Sequence, residues 1–472
     1  MFSRLHLRIF PIGLSIPVVL LVSTGVTGVF VSYANDFVSP DYIVNGNLGR
    51  NTFAAQATIV QWAKESAVGG PWSVTMKPFA APTGDKHDYL SWSPYWWPDC
   101  SGVGNTTELA QEQIWTTCPY KNKDGLFNPD ARLVDDVGNF QSVSDAVFYN
   151  SMAWSLTQTP TFAESATQFI KTWFLDEATR MNPNLNYAQV IRGPNNAGGT
   201  HTGVLDLKCM AKIVSGILIL RKTNSTAWTS EVNDGMNAWV TEYVHWLETA
   251  NIAIQEALST NNHGTFYYNQ LAALKILLGD LPGAKNVTDT YFNTIYMGQI
   301  VKGGEQPLEA ARTRPYHYRA YNLAAMITNA RLSQYADPQN PVWNKTTKEG
   351  ATIKDALNFA MTISASASKE DNYTSELFPN IVAVASVYGD PDGKYVSFMK
   401  QAEPQFAAEA DYLWDQPFAV QEGLASSSTV SSPTPSAGSN KSATGRNSAS
   451  SRERMDYYGL FGIMSFLVYL LI

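Results

Sequence analysis

Two short runs hold the side chains best suited to chemistry. The first is Asn261-Asn262-His263-Gly264. The second, about fifty residues on, is Arg312-Thr313-Arg314-Pro315-Tyr316-His317-Tyr318, with Arg319 and Tyr321 just beyond. Together they bring an amide, imidazoles, guanidiniums and phenols, with no nucleophile elbow and no metal-ligating spacing. The proton at C5 of a uronic acid becomes removable only when the neighbouring carboxylate is neutralised. Preorganised donors such as Asn262, His263 and an arginine supply that neutralisation and stabilise the enolate-like charge that develops. A tyrosine then takes the proton if cationic neighbours lower its pKa from about 10. The same phenol, or His263, protonates the departing C4 oxygen. This set of parts points to β-elimination on an acidic polysaccharide. Taken singly, each run has a blander reading. Asn-His-Gly is an ordinary helix start, and the Arg/Tyr run is a solvated face with packed phenols.

Two other segments interrupt the helical pattern and read as site-forming loops. Residues 87–99 gather His87, Tyr89, Tyr95, Trp96 and Trp97 among prolines. Flat aromatic faces stack on sugar rings, although large aromatics also dominate cores. Residues 180–189 carry Asn182, Asn184, Asn186 and Gln189. Asparagines there are ordinary turn formers. Gln189 is the less usual turn residue and is the candidate substrate ligand of that loop.

The elements that must position these groups are helices. Phe162, Ala166, Phe169 and Trp173 recur at helical spacing, as do Leu207, Met210, Val214, Ile217 and Leu218, and Val232, Met236, Trp239, Tyr243 and Trp246. Phe266, Leu271, Leu274 and Leu278 make another helix, and further ones are predicted over 307–332, 351–364 and 379–388. In the 307–332 helix, Arg314 shares a face with Tyr318 and Tyr321, and Arg312 meets Tyr318 well only if the helix starts between them. Strand alternation is scarce. An all-α fold of stacked helical hairpins, an α/α toroid, is expected.

The formal net charge of −8 and the lack of a basic stripe argue against a nucleic-acid partner. Residues 1–34 read as a signal peptide, with an uncleaved signal anchor as the alternative. Residues 35–423 form the expected catalytic toroid, and 424–456 a Ser/Thr/Pro-rich stalk and spacer. The apolar tail 457–472 matches a GPI-attachment signal, with Asn447, Ser448 or Ala449 as the attachment residue, or else a tail anchor. The protein is thus expected at the cell surface as a monomer, touching the membrane only through that anchor or tail. In an oxidising compartment Cys100 and Cys118 are close enough to pair, while Cys209 reads as a buried small hydrophobe. Sequons occur at Asn105, Asn224, Asn286, Asn344, Asn372 and Asn440.

The motifs resemble the alginate lyase superfamily, meaning polysaccharide lyase family five and, more closely, family thirty-eight. The resemblance runs from about Lys86 to Leu332. It rests on His87-Asp88-Tyr89 with Tyr95-Trp96-Trp97-Pro98, on Trp173-Phe174-Leu175 leading to Arg180-Met181-Asn182-Pro183-Asn184-Leu185, on Asn261-Asn262-His263-Gly264, and on Gln306-Pro307-Leu308-Glu309 leading into Arg312-Thr313-Arg314. It implies an α/α toroid, no cofactor or metal, and cleavage of a 4-linked polyuronide such as mannuronate-rich alginate or glucuronan. It also implies that Asn262, His263 and an arginine hold the carboxylate while a tyrosine serves as base and acid. The family-thirty-eight pattern selects Arg312 with Tyr318, and the family-five spacing selects Arg314 with Tyr321. Two rivals use the same toroid. One is a non-catalytic glycan-binding surface protein. The other is a glycoside hydrolase, which needs two flanking carboxylates, for which Glu305 with Glu309 or Asp135 with Asp136 are available.

Overall fold

The computed structural model describes residues 37–45, 48–103, 109–195 and 198–414. The predicted signal segment, the stalk, the tail and the Asn105 and Asn440 sequons lie outside these residues. Among the described residues no helix is long and apolar enough to cross a membrane.

An inner layer of helices carries the core. Asp136–Thr157, Met210–Lys222, Asn262–Leu277, Pro315–Ala336 and Phe378–Tyr388 are buried along most of their lengths. Each packs on the next. Helices enclosed this way are apolar on nearly every side, and their few polar residues need partners inside. Buried asparagines meet that need by bonding across to the neighbouring helix. Asn269 Nδ2 donates to the Ala325 carbonyl at 3.0 Å, Asn329 Nδ2 to Thr265 at 3.1 Å and Asn380 Nδ2 to Ala320 at 3.1 Å. An outer layer covers this one. Phe53–Gly69 and Pro160–Ile170 lie on the first inner helix, Ser230–Thr249 and Leu281–Asn293 on the third, and Ile353–Ala360 on the fourth. The alternation of inner and outer helices is the α/α toroid expected from the sequence.

The predicted helix over 307–332 is in fact two. Pro307–Ala310 ends, and Pro315–Ala336 begins after a turn. Proline favours the first helical position, where its missing N–H costs nothing. It also pushes the preceding residue out of helical geometry, and Arg314 sits at φ −126°, ψ 72°. Arg312, Thr313 and Arg314 therefore lie in a turn, and the helix starts between Arg312 and Tyr318.

Among the described residues the two strands are Trp96–Pro98 and Tyr120–Asn122, paired antiparallel with Trp97 opposite Lys121. The predicted Cys100–Cys118 disulfide closes this arm, with an S–S distance of 2.07 Å. Cys209 is buried as a free thiol. The two irregular loops read from the sequence run beside each other. Ser91 N–H donates to the Tyr187 carbonyl, Val190 N–H to Ser91, and Ser93 N–H to Val190.

Candidate functional site

The turn before helix Pro315–Ala336 presents two guanidiniums to two phenols. Arg312 Nη2 donates to the Tyr318 hydroxyl at 2.8 Å, and its Cζ lies 3.8 Å from the Tyr318 ring centroid. Asp124, on the chain following the second strand, holds Arg312 from the other side through Nε at 3.2 Å and Nη2 at 2.7 Å. Those bonds draw the Asp124 carboxyl below its ordinary range. Gly125, at φ +75°, lets the chain turn here. A Cβ on it would come within 2.2 Å of Thr313 Oγ1, so the arm rests directly on the arginine turn. Arg312 Nη1 has no hydrogen-bond partner among the described residues.

Arg314 is used differently. Nη2 donates to the Tyr95 hydroxyl at 2.6 Å and Nη1 to the Tyr373 hydroxyl. It clamps two phenols, each brought from a separate part of the chain. The Tyr95 and Tyr318 oxygens stand 3.3 Å apart. Burial and the neighbouring Tyr95 phenol push the Tyr318 hydroxyl above its ordinary pKa, against the opposing pull of Arg312 and Arg314. The expectation that cationic neighbours lower it is corrected here: only 5% of Tyr318 is exposed, and desolvation of the anion dominates. The start of the helix is fixed by Glu370, a buried carboxylate that accepts the backbone N–H groups of Tyr316 at 2.9 Å and His317 at 3.0 Å. A carboxylate at a helix N-terminus satisfies orphan donors and complements the helix dipole.

The Asn262–His263 run forms the start of helix Asn262–Leu277, capped by Asn261, whose Oδ1 accepts from His263 N–H at 3.2 Å. Gly264 allows this start to pack closely, since a Cβ there would lie 2.0 Å from the Ser259 carbonyl oxygen. Asn262 is 1% exposed. Its backbone N–H and Nδ2 both donate to Glu309, at 2.8 and 2.7 Å. This leaves one Nδ2 hydrogen, and Oδ1 has no partner among the described residues. Burial raises the Glu309 carboxyl, opposed by the Asn262 bonds and by the charges of Arg312 and His263. Glu309 thus ties the Asn262–His263 run to the arginine turn, which the sequence reading required to lie close. Phe266 and Tyr321 add a ring contact of 4.5 Å between helix Asn262–Leu277 and helix Pro315–Ala336.

Tyr321 packs between Phe266 and His317, its ring stacked on the imidazole at 5.5 Å. His317 itself bonds Glu376 at 2.6 Å. Of the two Arg/Tyr pairings left open, the structure joins Arg312 to Tyr318.

The remaining sequence candidates divide. Tyr95 is in the cluster. Trp96 and Trp97 lie half-buried on the arm, with Trp97 Nε1 donating to the Leu126 carbonyl at 2.9 Å. The Tyr89 assignment is corrected. Tyr89 is 1% exposed and donates its hydroxyl to buried Asp206 at 3.1 Å. Gln189 spends its amide on Asp206 at 2.9 Å and Thr202 at 2.9 Å. Tyr89 lies in an internal polar network, and half-buried Gln189 joins it through the same Asp206. His87 Nδ1 is anchored on the Arg180 carbonyl at 2.6 Å, joining the two loops. The carboxylates suggested for hydrolysis are all engaged: Glu305 by Arg319, Glu309 by Asn262, Asp135 by Arg132 and Asp136 by Lys77.

Sequence reasoning missed Asp124, Tyr373, His201 and Glu256. The last two complete a cluster in which Glu256 bonds His263 Nδ1 and His201 Nδ1, each at 2.6 Å. No local spacing marks these four residues, because their partners come from distant parts of the chain. Among the described residues no cluster of His, Cys, Asp and Glu has a metal-binding arrangement.

The sequence profile of the family described as alginate lyase matches residues 73–370. A crystal structure of an alginate lyase from Bacteroides ovatus is similar at 28% identity and TM-score 0.69, over 82% of this chain and 99% of that one. Alginate lyase A1-III from Sphingomonas species A1 aligns at 13% identity and TM-score 0.45, over 79% of this chain and 94% of that one. No curated protein sequence matches the chain.

Proposed function

The chain belongs to the alginate lyase family and is a polysaccharide lyase; from this and the geometry above we propose that it cuts a 4-linked polyuronide by β-elimination, with Tyr318 moving both protons. The substrate class is mannuronate-rich alginate or glucuronan. The similarity to the Bacteroides ovatus alginate lyase supports an acidic polysaccharide of this kind. The observation that carries the assignment of roles is the Tyr318 hydroxyl, held by Arg312 at 2.8 Å and facing Tyr95 at 3.3 Å.

The substrate carboxylate docks on the uncommitted Nη1 of Arg312, with the remaining Asn262 N–H and His263 beside it. Withdrawal of carboxylate charge makes the C5 proton acidic. The Tyr318 phenolate takes that proton, and its electron pair becomes the C4–C5 double bond. The C4–O bond breaks, and the proton now on Tyr318 passes to the departing oxygen. No water enters the products. The Tyr318 phenolate forms between two guanidiniums that stabilise it, against its burial. Burial keeps that form scarce, and turnover should rise as pH rises. The Cys100–Cys118 disulfide supports an oxidising, extracellular setting. The lipid-anchored, monomeric state read from the sequence is retained as part of this proposal.

The test mixes the purified protein with polymannuronate, glucuronan and other acidic glycans and follows ultraviolet absorbance of the new double bond, with product masses. Unsaturated ends without added mass of water are expected. Hydrated products, or silence across the panel, would overturn the reading.

A further inference from the structure

We propose that His201 is a second substrate-binding imidazole, contacting the carboxylate of a uronate next to the one being cleaved, and that Glu256 is the positioning residue that holds His201 and His263 as one unit. The proposal rests on the polyuronide-lyase reading above.

Glu256 lies on helix Asn251–Ala257 with its side chain fully buried. Each of its oxygens serves one imidazole: Oε1 meets His263 Nδ1 and Oε2 meets His201 Nδ1, both at 2.6 Å. Ser259 Oγ adds a contact to Oε2 at 3.4 Å. Burial raises this carboxyl, but the two imidazoles overcome it and the net displacement is downward. The group is therefore an ionised acceptor with no proton of its own. Both Nδ1 atoms must then carry the hydrogen, and the tautomer of each ring is fixed. A neutral ring presents a bare Nε2 lone pair, whereas a charged ring presents Nε2–H. Only the charged ring can bind a carboxylate.

The two rings are anchored inside and open outside. Side-chain exposure is 42% for His201 and 20% for His263, and the ring centroids are 6.5 Å apart. His201 opens the 3-10 helix His201–Leu207. Leu205 of that helix packs with Phe266 and Tyr321. His201 thus shares a wall with His263 and the start of the catalytic helix. Two half-exposed imidazoles on one buried acid resemble a preorganised pair of donors.

Charge supports the same assignment. Glu309 acts on His263 from the turn side, with Arg312 beyond it, and Glu256 acts on both rings from beneath. Asp206, on the same 3-10 helix as His201, is spent on Tyr89, Ser91 and Gln189. The bond to Glu256 raises the His201 imidazole, against partial burial. Its cationic form thus persists above the ordinary value near 6.5 and is lost as pH rises further. That cation offsets the Glu256 carboxylate and presents Nε2–H to a polyanion.

The test measures initial rates on polymannuronate oligomers from acid to alkaline pH for wild type, His201→Gln, Glu256→Gln and the double variant. In wild type, KM should rise with pH as His201 loses its proton. His201→Gln should raise KM about tenfold at mildly acidic pH, leave kcat within about threefold, and flatten the KM–pH profile. Glu256→Gln should lower kcat/KM, and its effect should shrink in the His201→Gln background, because the two act through one contact. Wild-type KM for His201→Gln at every pH would overturn the proposal, as would effects that simply multiply. If Glu256→Gln does not fold, His201→Gln decides alone, since its half-exposed side chain is removable without opening the core. A wild type that yields no unsaturated product refutes the lyase reading itself. A wild type that cuts, with an unaltered His201→Gln, refutes only the second imidazole.

Discussion

Replacing Tyr318 by phenylalanine separates chemistry from architecture in this site. The substitution removes one oxygen and leaves the ring under Arg312. In the folded protein it deletes the Arg312–Tyr318 bond of 2.8 Å and the 3.3 Å approach to Tyr95. Arg312 keeps both of its bonds to Asp124, so no guanidinium is orphaned. The stability cost is then about 1 kcal/mol, the ordinary net value of one hydrogen bond. For a domain of this size that is a shift of roughly 1–2 °C in melting temperature. The kinetic cost is of another order. Each positioned proton transfer is worth about 10²–10⁴ in rate, and the proposed mechanism gives Tyr318 two. A fall of at least ~10³ in kcat, about 4 kcal/mol of barrier, is expected. KM should stay within about threefold, because the carboxylate docks on Arg312 and not on the phenol. The assay is ultraviolet absorbance of the unsaturated end on polymannuronate, beside a thermal melt. Tyr321→Phe is the control, expected within about threefold of wild type in kcat, since that ring packs between Phe266 and His317. Retention of a tenth of wild-type kcat by Tyr318→Phe, or a larger loss in Tyr321→Phe, would refute the assignment.

Asp124→Asn removes the charge that steers Arg312. The pair is partly exposed, at 20% and 33%, so urea unfolding should show a loss below about 1 kcal/mol, whereas kcat should fall about tenfold as Arg312 loses its aim on Tyr318. Gly264→Ala drives a methyl to within 2.0 Å of the Ser259 carbonyl oxygen; a loss of about 1–3 kcal/mol in urea unfolding is expected, with lowered kcat because His263 moves with the helix start. Asp136→Ala removes the carboxylate 3.1 Å from buried Lys77 and leaves it only the Val74 and Lys86 carbonyls; a loss of about 3–5 kcal/mol in urea unfolding is expected. Turnover in wild type should climb with pH, because burial holds the Tyr318 proton; a kcat that is flat or falls from neutral to alkaline pH would show that another group is the base.

The sequence carried the helical architecture because apolar spacing is a local signal. It also singled out Asn262, His263 and the Arg312–Tyr318 run, because those residues are contiguous or one turn apart. The start of the catalytic helix was legible in Pro315, and reading one helix through it overlooked the constraint that proline places on Arg314. The Tyr89 assignment failed for a different reason. Whether an aromatic faces a sugar or a buried acid depends on Asp206, which is 117 residues from Tyr89 in the chain. His201 and Glu256 were invisible on the same ground: each is an isolated polar residue until folding brings them within 2.6 Å. Sequence spacing reports neighbours along a helix, while buried polar partnerships are properties of the finished fold.

The arm that ends in Asp124 reaches the arginine turn across 188 residues of chain, and Tyr95 reaches Tyr318 across 223. Helices assemble from neighbours within microseconds, whereas contacts of such sequence separation must await loop closure over most of the polypeptide. During refolding, circular dichroism should therefore recover well ahead of turnover. Competence to cut is in that sense the latest-acquired property of the molecule, and a partly assembled chain would carry its helices while remaining harmless to the polysaccharides around it.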